Sequence, residues 1–93
     1  MAGQFESGRK TFSQMDISER DAVLQELSKS LRYKAMASRA ASYPRWKDME
    51  VLGERIERDH TTIAADLDGA AVTVIEAVRL LSEVEREFTE TRH

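Results

Sequence analysis

Read in sevens from Trp46, the apolar positions of the second half of the chain fall into two columns. One is Trp46, Gly53, His60, Leu67, Val74, Leu81 and Phe88; the other is Met49, Ile56, Ile63, Ala70, Ala77 and Val84. The register runs without a stutter, and acidic residues flank it: Glu50, Glu57 and Glu85 on one side, Asp59, Asp66 and Glu87 on the other. This is the pattern of a coiled-coil-like seam along one helix over about residues 45–90. At 1.5 Å per residue such a helix is about 68 Å long.

The first helix is predicted over about residues 17–42. Asp16 precedes Glu19 by three residues and Ser18 precedes Asp21 by three, both spacings of a capping box. Ile17, Leu24, Leu27, Leu31 and Ala35 then recur at helical intervals. Pro44 ends the helix, because it removes a backbone donor and biases Tyr43 away from helical dihedrals. Residues 1–15 form a polar arm carrying Phe5, Phe12 and Met15, and residues 16–93 form the helical domain. The first helix, about 37 Å long, cannot cover the second. The expected fold is therefore all-α: an antiparallel helical hairpin with a long second helix, completing a bundle by oligomerisation. A competing division breaks the second helix at Asp66-Leu67-Asp68-Gly69, with Asp68 capping a third helix through Val72, Ile75, Val78, Leu81 and Val84. The unbroken register favours continuity, since a turn normally resets the phase.

Composition narrows the function classes. The 93 residues make one domain, with 41% hydrophobic and 33% charged residues, a globular mix that leaves only a thin core. The net charge is −3, with 14 basic residues dispersed among 17 acidic ones. That argues against nucleic acid, which requires a basic face of one sign. No apolar run approaches the roughly 18 residues of a spanning segment, so membrane insertion is not expected. The absence of cysteine removes disulfides, thiolate metal sites and thiol nucleophiles. The N-terminus MAGQFESGRKTF has no apolar core of a signal peptide. A cytoplasmic chain is expected, with export by a route that reads folded helices as the alternative.

His60 is the histidine on the apolar stripe, and Glu57 precedes it by three residues on the same helical face. With Glu26 on the first helix these supply carboxylates and an imidazole, the kit of a di-metal site in a helical bundle. In this respect the hairpin resembles the half-ferritin subunits of encapsulated ferritins. That resemblance covers residues 26–60 and implies an iron or manganese site shared across a dimer, with ligands Glu26, Glu57 and His60, ferroxidase-like activity, and Tyr33 as a redox tyrosine. The other reading of His60 is a polar core position that sets register and partner choice.

Trp46 invites a second comparison. Small secreted WXG100 proteins are helical hairpins of similar length with a tryptophan at the turn, which this chain resembles at Tyr43-Pro44-Arg45-Trp46-Lys47-Asp48. The glycine expected two residues after the tryptophan is replaced by Asp48, and the C-terminal tyrosine–acid export signal is missing. The resemblance implies secretion with a paired helical protein. Otherwise Trp46 is a hydrophobic plug over the end of the hairpin.

No phosphate loop or nucleophile motif is present, and the expected function is non-enzymatic and cofactor-free: a helical interaction or assembly module, as a structural subunit, adaptor or chaperone-like partner. Its partner is a protein, a second copy or a paired helical chain. The expected association surface is Leu67, Val74, Leu81, Val84 and Phe88, which extend beyond the reach of the first helix.

Overall fold

The computed structural model describes the backbone of residues 11–91 and the side chains through residue 87. Phe5 and His93 lie outside the described residues, as does the side chain of Phe88. Among the described residues three helices follow a single 3-10 turn at Phe12–Gln14: α1 (Ile17–Ala40), α2 (Trp46–Ala65) and α3 (Leu67–Thr91). No described helix is long and apolar enough to cross a membrane.

The start of α1 is the capping box read from the sequence. Asp16 N–H donates to Glu19 Oε1 at 3.0 Å, and Glu19 N–H donates to Asp16 Oδ1 at 2.8 Å. Two orphan donors of the first turn are satisfied this way. The helix ends two residues earlier than expected, in a Schellman turn. Tyr43 N–H reaches the Ser38 carbonyl at 2.8 Å and Ser42 N–H the Arg39 carbonyl at 3.0 Å. Ser42 has φ 62°, a left-handed position more often given to glycine.

The expected single long helix is two helices. Asp66 alone interrupts it, with φ −108° and ψ 110°. Its carboxylate accepts Gly69 N–H at 3.1 Å, so Asp66, and not Asp68, caps the third helix. A Cβ at position 69 would stand 2.8 Å from that carboxylate oxygen, so glycine lets the cap close. The break is reinforced from α1. Arg20 Nε donates to the Ala64 carbonyl at 2.9 Å, occupying an acceptor that a continuous helix would use internally. Because only one residue leaves the helix, the sequence repeat passes across the break without a visible stutter.

The chain folds up, down and up. Ion pairs and hydrogen bonds pair the start of α1 with the end of α2, through Arg20 and Ala64, and the start of α2 with the later part of α3, through Arg45 and Glu83. The core is Leu24, Leu31 and Ala35 from α1, Met49, Leu52, Ile56 and Ala64 from α2, and Ala77, Leu80 and Val84 from α3. Ile17, expected on the apolar face, is 52% exposed at the first turn of α1. At 24, 20 and 25 residues the helices are of similar length, so the premise that α1 is too short to cover its neighbour falls away.

Helices α1 and α2 are in close contact at Gly53. Ser28 Oγ donates to the Gly53 carbonyl at 2.8 Å. A Cβ on Gly53 would lie 2.8 Å from Arg32 Cγ and 3.2 Å from Leu31 Cβ. Part of the N-terminal arm is tied down as well. The turn at Phe12–Gln14 touches α3, and Arg20 Nη1 donates to the Met15 carbonyl at 2.7 Å. Trp46 is half-buried beneath the Arg39 guanidinium, which sits 4.9 Å from the ring centroid.

Candidate protein-docking surface

Helix α3 carries apolar residues on two sides. Ala70, Thr73, Ala77, Leu80 and Val84 face the core. At 100° per residue, Ile75 lies 160° around the helix from Ala77, and Ala71, Val78 and Ser82 fall on the same outward side. A helix apolar all round is ordinarily covered all round. Here Val72 is 64% exposed, Ile75 56% and Val78 48%.

The outward side of α3 adjoins a groove of about 560 Å³ between α2 and α3. Its apolar lining is Val51, Leu52, Val72, Ile75 and Leu80. Val51 is the exposed contribution of α2. Charged pairs span the rim: Arg45 Nη1 to Glu83 at 2.8 Å, Arg45 Nε to Asp48 at 2.9 Å, and Arg55 Nη2 to Glu76 at 3.3 Å. The Asp48 hydrogen bond, then that of Glu83, raises the pKa of Arg45 above its already high ordinary value. These partly exposed pairs contribute little stability each, and two of them, Arg45–Glu83 and Arg55–Glu76, join α2 to α3.

The residues expected to form the association surface are distributed otherwise. Val84 is fully buried in the core, and Val74 and Leu81 pack against it half-buried. Leu67 is 37% exposed at the start of α3, and the Phe88 side chain lies outside the described residues. Val84 is therefore spent inside the chain. The exposed apolar residues beside the groove and on the outward side of α3 are Val51, Val72, Ile75 and Val78, while Ile17, Met36 and Leu67 are exposed elsewhere. Sequence reasoning placed Val72, Ile75 and Val78 on a third helix only in the competing division, and assigned them to no surface. The signal available was that residues 70–84 are apolar at two phases at once.

The three residues of the metal reading do not converge. Glu26 is exposed and pairs with Lys29 at 3.7 Å, Glu57 pairs with Arg32, and His60 Nδ1 pairs with Asp21 Oδ1. Glu26 is five residues after Asp21, or 140° around α1, so it points away from His60. No group of three or more His, Asp or Glu side chains converges among the described residues. Tyr33, the redox tyrosine of that reading, is 73% exposed.

The Asp21–His60 pair joins α1 to α2 at a half-buried position. The hydrogen bond to His60 lowers the Asp21 pKa below 3.8, against a smaller opposing effect of burial. A depressed carboxyl pKa adds stability that is present above the unfolded value and lost as pH falls through the folded one. Wild-type stability is thus expected to drop below about pH 4. The Asp21→Asn variant, less stable at pH 6, should show a shallower drop. Urea midpoints at pH 6 and pH 3 check this, and parallel drops in both proteins would refute the assignment.

Comparison with protein-family models, curated proteins and solved structures returns no match.

Proposed function

We propose that this chain is a non-enzymatic helical assembly module whose docking surface is the outward side of α3 together with the adjoining α2–α3 groove. The observation that carries this reading is the exposure of Val72, Ile75 and Val78 on α3 beside Val51 on α2. Isolated apolar residues on a surface are ordinary, but a patch gathered on one helix and rimmed by charge is characteristic of contact sites. Fully covering a valine or isoleucine side chain is worth about 1.5–3 kcal/mol, so a partner over these residues gains enough to offset ordering costs. The surface is read as a place where another helix lies, because exposed apolar positions three and four apart beside an apolar-lined groove suit helix-in-groove contact.

The test places the photo-cross-linking residue benzoylphenylalanine at position 75 in the native cell, with position 33 as the control. Tyr33 is the more exposed of the two residues and stands on α1. A discrete adduct at position 75 and none at 33 supports the reading. No adduct at 75, or the same adducts at both positions, overturns it.

A further inference from the structure

Resting on the assembly reading, we infer that the occupant of the outward side of α3 is the same helix of a second copy, antiparallel and related by a two-fold axis. The helix carries a seam at Ala71, Ile75, Val78 and Ser82, spaced four, three and four. That alternation is the spacing of a knobs-into-holes contact. Its sizes run small, large, large, small, so the seam reads nearly the same in both directions. In an antiparallel pair Ala71 lies opposite Ser82 of the second copy, and Ile75 opposite Val78 of the second copy. The centre of this arrangement falls between residues 76 and 77.

The charges give the same centre independently. Asp68 and Arg86 are both exposed, and neither has an ion-pair partner among the described residues. They are 18 residues apart, five full turns, and so stand on the same edge of the outward side. A two-fold axis perpendicular to the helix keeps each edge facing itself. Asp68 of one copy then meets Arg86 of the other, twice, about a centre at residue 77. The apolar and the charged patterns agree to half a residue, about 0.75 Å along the helix. A two-fold contact of this kind is self-complementary, as an isologous interface must be. A parallel pairing would instead set this edge beside the opposite edge of the second copy, so that Asp68 and Arg86 would not meet.

The experiment is the solution mass of the full chain by light scattering, from about 10 µM to 1 mM. The wild type is expected to approach twice its 10.6 kDa as concentration rises. Asp68→Arg and Arg86→Asp should each weaken self-association about tenfold or more, since each variant alone sets like charges together twice. Mixing the two variants in equal amounts should restore the dimer, because both pairs in the mixed dimer are again of opposite sign. That rescue also rules out misfolding as the cause of the single losses. A wild type that stays monomeric to 1 mM, single variants that dimerise as the wild type does, or a mixture that stays monomeric would each overturn the inference. A cross-link from position 75 to a chain of different mass would overturn the second copy while supporting the assembly reading.

Discussion

Replacing Gly53 with leucine is expected to abolish the folded state, with far-ultraviolet circular dichroism showing most of the helical signal gone at 25 °C. The position lies in the α1–α2 contact, and even a single methyl there meets Arg32 Cγ at 2.8 Å and Leu31 Cβ at 3.2 Å. Arg32 is exposed and its side chain can swing away, but Leu31 Cβ is fixed to the α1 backbone. Three further carbons beyond the methyl have no space unless the helices separate. Separation breaks the Ser28–Gly53 hydrogen bond and opens the contacts of Leu24, Leu31 and Ile56. Overpacking ordinarily costs about 1–3 kcal/mol. Forcing two helices apart exceeds that, in a chain of this size whose total stability is on the order of 5–14 kcal/mol. Gly53→Ala is the contrasting case. Its helix propensity gains about 1 kcal/mol, which offsets the crowding, so a net change under about 1 kcal/mol is expected. A Gly53→Leu protein with a wild-type urea midpoint would show that the close approach is not required.

The second large effect is expected at Arg20. Its side chain is 9% exposed and makes no ion pair among the described residues. Its charge is met instead by the carbonyls of Ala64 and Met15 and by the negative end of the α2 dipole. In Arg20→Met the aliphatic stem is retained while both carbonyls lose a charged donor. A hydrogen bond to a charged group is worth about 1.5–3 kcal/mol, so a loss of at least about 2 kcal/mol in urea unfolding is expected. Arg20→Lys should fall between, since a single ammonium at the end of a shorter stem does not reproduce the fork of the guanidinium. Amide hydrogen exchange at residues 66–69 should speed up in the methionine variant, because the α2–α3 junction loses its anchor. An unchanged midpoint would mean that water replaces the arginine without cost.

Much of the fold is legible in the sequence for identifiable reasons. The Asp16–Glu19 box is a local device, complete within four residues, so its reading needs nothing from elsewhere in the chain. The two apolar columns named core residues correctly at Met49, Gly53, Ile56, Ala70, Ala77 and Val84, since helical periodicity reports which side is buried whatever covers it. The docking surface was less legible. Val84 and Leu81 were placed on it because α1 was reckoned too short to cover a continuous helix, and the break at Asp66 removes that reckoning. The metal reading shows the same limit at Glu26. A spacing along one helix fixes Glu57 beside His60, but which side of α1 faces that pair is decided by packing, and packing presents Asp21.

By itself the sequence determined that the chain is helical, where its first helix begins, and which phase of each helix is apolar, because capping and periodicity act over a few residues. Two matters were decided only by the tertiary structure. One is the number of helices. The carbonyl of Ala64 has two possible donors, its own helix and an arginine 44 residues away, and only the packed arrangement brings the arginine to it. The other is the choice between the two apolar sides of α3. The side bearing Ala70, Ala77, Leu80 and Val84 turned inward, because it places Leu80 and Val84 in the core against α1 and α2, and that left Ile75 and Val78 to face outward.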